Sequence, residues 1–248
     1  MNLQTFQILV SISTYSVVMP LIIYFAWIKK FPKANHIVGI YAIAAAACDL
    51  IVNIKFNQQT SNVIPINIYY ITTFFIVSFY YFELLFKKRF RFVLIGATIV
   101  YILAATLYVI NYGINEYYNV LWASGAFLIG SYGIIYIISL QDMVVERLLD
   151  LNLYSYRIVN ASFLSYFLVT LLLFVSTNYV FKETDPDTSR LFWSFHNIAN
   201  TIKNVGLAIG LYYTGRRDVK TTLIEIERIG RQRAGEEYEQ VWAKSFKK

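Results

Sequence analysis

The sequence predicts an all-α polytopic membrane protein, a bundle of seven transmembrane helices with its N-terminus outside and its C-terminus in the cytoplasm. Three observations carry that expectation. Of the 248 residues, 57% are apolar and only 15% are charged, against roughly a quarter charged in soluble domains. Seven stretches approach the roughly 20 apolar residues that a helix needs to cross a bilayer. Lys and Arg fall almost wholly on one side of those stretches, the bias that sets orientation. The composition excludes a disordered chain, a disulfide scaffold and a typical soluble enzyme. The apolar runs are continuous, whereas barrel strands are shorter and alternate in polarity. Helices also satisfy their own backbone groups in lipid.

The expected spans are 5–28, 37–54, 67–86, 92–110, 119–140, 160–181 and 190–214. The first has no positive charge before it and Lys29-Lys30 directly after, so it reads as a retained helix, not a cleaved signal. The small residues of the fifth, including Ser124 and Ser131, suit close helix packing. One face of the membrane receives 18 of the 22 basic residues, including Lys29, Lys30, Lys33, Lys87, Lys88, Arg89, Arg91, Arg147 and Arg157. The other receives 3, Lys55, Lys182 and Arg190, beside the acids Glu116, Glu183, Asp185 and Asp187. The net charge of +7 is therefore a matter of topology and no sign of a nucleic-acid partner. A single cysteine, Cys48, excludes an internal disulfide and cysteine-based metal sites.

Residues 1–214 form the membrane domain and 215–248 a basic amphipathic tail. Val219, Leu223, Ile226 and Ile229 recur there at helical spacing. Such a tail either lies on the inner leaflet or docks a cytoplasmic or membrane partner.

Ionisable groups at membrane depth are costly and point to function. There are four: Asp49, Glu83, His196 and Lys203. Around His196, the residues Trp193, Asn200, Lys203 and Asn204 fall within an arc of about 100° on a helical wheel. Such a stripe has to face protein or water. In span two, Asp49 and Asn53 share a face with Ala42, Ala45 and Ala46, which admits a close neighbour. Asp49 and His196 lie at matching depths of roughly 7 and 9 Å from the outer face, and Lys203 and Glu83 at roughly 20 and 24 Å. Two pairs are therefore expected, Asp49 with His196 and Glu83 with Lys203. Glu83 could instead reach Lys87 at i+4. His36 is expected in a loop, which leaves too few ligands in the membrane for a metal site or a zinc hydrolase.

The run Trp193-Ser-Phe-His196-Asn-Ile-Ala-Asn200-Thr-Ile-Lys-Asn204 has the form W-x-x-H-x-x-x-N-x-x-x-N. Together with Asp49 and the Asn67-Ile-Tyr-Tyr opening of span three, it resembles a family of small bacterial seven-helix membrane proteins. That resemblance implies an inner-membrane location and no particular activity. The topology and Lys203 in the last helix are also similar to microbial rhodopsins, which would imply retinal held on Lys203. The sequence departs from their pattern: Ala199 stands four before the lysine, span three has no acid at mid-depth, and span six has neither Trp nor Pro.

These readings lead to a receptor-like or sensory protein, no enzyme, with a polar cavity between helices two, three and seven. Asp49, Asn53, Glu83, Trp193, His196, Asn200, Lys203 and Asn204 would line it and take a small ligand or a proton. A transporter or channel for a small solute, a subunit of a membrane complex and a retinal protein are the alternatives.

Overall fold

In the computed structural model, which describes residues 2–58, 60–85, 87–115, 118–141, 153–180 and 186–216, the first expected span is broken in two. Pro20 has no N–H to offer the Ser16 carbonyl, so the helical ladder cannot run through this point. Helix α1, Leu3–Ser16, stops there, and α2, Val18–Trp27, resumes after Val17 with Pro20 in its first turn. A 3-10 turn, Ile28–Lys30, closes the segment.

The remaining elements are α3 (Lys33–Asn57), α4 (Val63–Leu84), α5 (Lys88–Tyr112), α6 (Asn119–Gln141), α7 (Leu153–Val180) and α8 (Pro186–Gly215). No strand occurs among the described residues. Proline opens α8 at the position where its missing N–H costs nothing. Gly113, at φ +72°, ends α5 and donates its N–H to the Val109 carbonyl at 2.9 Å. Arg147, Glu116, Lys182, Glu183, Asp185 and the tail from 217 onward lie outside the described residues.

Among the described residues, six segments are long and apolar enough to cross a membrane: Leu3–Lys30, Lys33–Lys55, Val63–Leu84, Lys88–Tyr112, Asn119–Leu140 and Tyr154–Ser176. Their lengths and composition are those of a multi-pass helical membrane protein. The seventh expected span lies within α8, a helix of 30 residues that does not reach the same apolarity. The reason is its polar stripe, of which Lys203 and Asn204 are buried in protein while Trp193, His196 and Asn200 are at least partly open.

The packing is a ring. Going round it, α2 meets α3, α3 meets α4, α4 meets α6, α6 meets α7, α7 meets α8, and α8 closes on α1 and α2. Helix α5 stands outside, against α4 and α6, and leaves Val100, Leu103, Leu107 and Ile110 exposed. In lipid those side chains are in their proper solvent. Aromatics fill the ring's interior: Tyr41, Phe74, Tyr80, Tyr81 and Phe163 are almost fully buried. Two glycines bring α8 hard against α7. A Cβ on Gly206 would collide with the Ser162 hydroxyl, and one on Gly210 would come within 2.6 Å of Val159. Ser155 Oγ donates to the Gly210 carbonyl across the same contact, at 2.6 Å.

Candidate functional site

Lys203 is completely buried. Its ammonium donates to Tyr41 OH at 2.7 Å and to Asn200 Oδ1 at 2.6 Å. The same nitrogen lies 4.2 Å from the centre of the Tyr166 ring and 5.0 Å from that of Tyr41. An ammonium has three donors; two are bonded and the third is left to the Tyr166 face. Charge-assisted bonds and a desolvated cation–π contact, each worth about 2 kcal/mol, offset the cost of placing this charge away from water.

The network continues to α1. Because Asn200 Oδ1 accepts from lysine, its amide nitrogen must face the other way, and it donates to Ser13 Oγ at 2.9 Å. One turn on, Asn204 Nδ2 donates to Ser16 Oγ at 2.7 Å, while Ser16 Oγ donates to the Ser13 carbonyl at 2.6 Å. The break beside Pro20 is thus held by two asparagines of α8.

Above this network lies a cavity of about 550 Å³, within the range of small-molecule sites. From α3 come Ala45, Cys48, Asp49 and Val52, at i, i+3, i+4 and i+7, the spacing of one helix face. Helix α8 contributes Trp193, His196, Asn200 and Asn204, which are the four named positions of the W-x-x-H-x-x-x-N-x-x-x-N run. Tyr69 and Tyr70 of α4, Trp122 of α6 and Phe174 of α7 form an aromatic wall. Tyr70 stacks on Trp122 at 4.6 Å between ring centres, and Phe174 closes on both at 5.3 and 5.1 Å. His196 is wedged between Trp193 at 5.5 Å and Tyr166 at 5.6 Å. Two buried atoms on lining residues have no hydrogen-bond partner, His196 Nδ1 and Asn204 Oδ1.

The chain matches no family model, curated protein or solved structure.

The geometry therefore has to speak for itself, and it corrects several expectations. Glu83 does not meet Lys203. It pairs with Lys33 at 2.7 Å, at the opposite end of the bundle from the cavity. Equal depth says nothing about which side of a helix a residue occupies, and α3 starts at Lys33, early enough to put that lysine beside Glu83. Asp49 and His196 share the cavity without a hydrogen bond between them. Asn53 is exposed, and Val52 takes the place on the wall expected for it. His36 is in the first turn of α3, where its Nδ1 lies 3.3 Å from Tyr24 OH. The cavity reaches beyond the three helices expected, to α6 and α7. Lys203 sits behind the wall, its amine already bound by Tyr41 and Asn200, so the lysine that the rhodopsin likeness would load with retinal is committed elsewhere.

Sequence reasoning missed Ser13 and Ser16, whose signal was their i, i+3 spacing just ahead of Pro20. It also missed Tyr166, Trp122 and Phe174 as site residues, because nothing distinguishes them from packing aromatics.

Proposed function

We propose that the chain is a receptor-like seven-helix protein of the bacterial inner membrane. Its N-terminus would be outside, its tail cytoplasmic, and its outward-facing cavity would bind a small ligand. One observation carries the reading: the four motif residues of α8 and Asp49 of α3 converge on a single cavity of about 550 Å³. The cavity lies at the C-terminal end of α3 and the N-terminal ends of α4 and α8. Seven basic residues lie at the other end, Lys29, Lys30 and Lys33 between α2 and α3, and Lys87, Lys88, Arg89 and Arg91 at the start of α5, against Lys55 and Arg190 at the cavity's end. A cavity opposite the basic end faces outward under the positive-inside bias.

What favours reception over transport is the inner half of the bundle. Below Lys203 the ring is filled by Tyr80, Tyr81, Phe163, Leu207 and Leu211, each 1% exposed or less. That packing supports reception, and the asparagines of α8 supply a route for a signal. Asn200 and Asn204 both line the cavity and grip the α1–α2 break. A ligand touching either amide would bias that break, which is the differential contact a two-state switch requires.

The test is a thermal-shift screen of small organic molecules on the full chain in lipid nanodiscs. Hits are to be repeated on Ala45→Trp, which fills the cavity. Compounds should stabilise the native protein and not the filled variant, and should change hydrogen exchange over residues 13–27. Hits that stabilise both alike would reject the cavity as the binding site.

A further inference from the structure

The chemistry of the cavity wall specifies its ligand more narrowly. Among the described residues Asp49 is the one carboxylate that lines it, and no Lys or Arg does. No ion pair to Asp49 within contact distance occurs among them. Lys203 is near enough for its charge to interact with Asp49, but its amine is hydrogen-bonded to Tyr41 and Asn200. Asn204 Oδ1 and His196 Nδ1 belong to lining residues but are themselves closed off from the cavity, so Asp49 supplies the charge that a ligand would meet.

Among the described residues the site thus offers a ligand one carboxylate. It is also walled by the rings of Tyr69, Tyr70 and Trp122, and aromatic rings attract cations through their quadrupole. A carboxylate ligand would bring a second negative charge to Asp49. A hydroxyl would bond it without charge. A primary ammonium brings the opposite charge and three donors.

We infer that the cavity takes an organic primary amine, its ammonium at Asp49 and its apolar body along the Tyr70–Trp122–Phe174 wall. This rests on the small-ligand reading above.

Three probes with one body separate the possibilities: 4-phenylbutylamine, 4-phenylbutanol and 4-phenylbutyrate. Each is titrated calorimetrically into the full chain in nanodiscs, with the heat of empty nanodiscs subtracted. The amine should bind saturably and at least about tenfold more tightly than the alcohol, as a charge-assisted bond requires. The acid should bind more weakly still. Asp49→Asn should weaken the amine at least about tenfold and leave the alcohol within about twofold, while Asn53→Ala, one turn away and exposed, changes neither. If the alcohol or the acid binds as tightly as the amine, the amine assignment is overturned and the cavity reading stands. If all three bind Ala45→Trp as well as native protein, both fall. Should Asp49→Asn fail to fold, the ranking of the three probes on native protein still decides.

Discussion

The two halves of α8 are built by opposite rules. From Gly206 to Thr214 the helix is clamped. Leu207 and Leu211 are fully buried, glycines admit the α7 backbone, Trp27 meets Tyr212 edge-on at 5.6 Å, and Asn35 Nδ2 bonds Thr214 Oγ1 at 2.8 Å. From Trp193 to Asn204 the same helix borders open volume and carries buried polar atoms left without partners. Packing density and polar satisfaction are what make a region resist opening. The C-terminal half is therefore an anchor, and the N-terminal half is the part with room to adjust. Asn200 and Asn204 sit at the seam and tie the adjustable half to the break in the first span.

The comparison breaks first if the anchor tolerates bulk. Gly206→Leu would drive a side chain into Ser162 and force α7 and α8 apart, so a loss of about 3 kcal/mol of stability is expected, the upper part of the range for overpacking. Ala45→Leu, a similar enlargement at the cavity, should change stability by less than about 1 kcal/mol because the space is already there. Chemical unfolding of both variants in detergent reads the difference. Equal losses would mean that the two halves are packed alike.

The next test concerns the seam itself. Asn200→Leu removes the amide oxygen that accepts from Lys203 and leaves a buried ammonium short of one partner, at an expected cost of about 2 kcal/mol. If the charge is the cause, adding Lys203→Met to that variant should restore at least half of the loss, since exchanging a buried ion for an apolar residue of similar size is often neutral. The cycle of single and double variants, followed by thermal unfolding, isolates the coupling. A double variant no more stable than Asn200→Leu alone would show that the bond to Ser13, and not the lysine cage, sets the cost.

Which parts of this were legible in the sequence follows from what a one-dimensional pattern contains. Period and depth are in it. The 3.6-residue repeat placed Trp193, His196, Asn200 and Asn204 on one stripe, and Asp49 with Ala45 on another, and the structure brings these residues to one cavity. Azimuth between helices is not in it, so depth alone matched Glu83 to the wrong lysine. Helix ends are poorly marked as well. The apolar run of the second span begins at Ile37, but α3 begins at Lys33, and those four residues carry Glu83's partner and bring His36 into the helix. Partners with no polar signature of their own, such as Trp122 and Phe174, become visible only when the helices are assembled.

The smallest expected effect sharpens that correction. Lys33 is 66% exposed and Glu83 is 22% exposed at the side chain, so their attraction is screened by water and by salt. Exposed pairs of this kind contribute about 0.5 kcal/mol or less. Glu83→Gln should therefore shift stability by no more than that, and the shift should shrink further in 1 M salt. Had Glu83 been the counter-ion of Lys203, the same substitution would strand a buried ammonium and cost about 3 kcal/mol or more, with little response to salt. A thermal melt of Glu83→Gln at low and high ionic strength separates the two arrangements. A large, salt-insensitive loss would return Glu83 to the buried network and dissolve the division between the half of α8 that borders the cavity and the half that only holds.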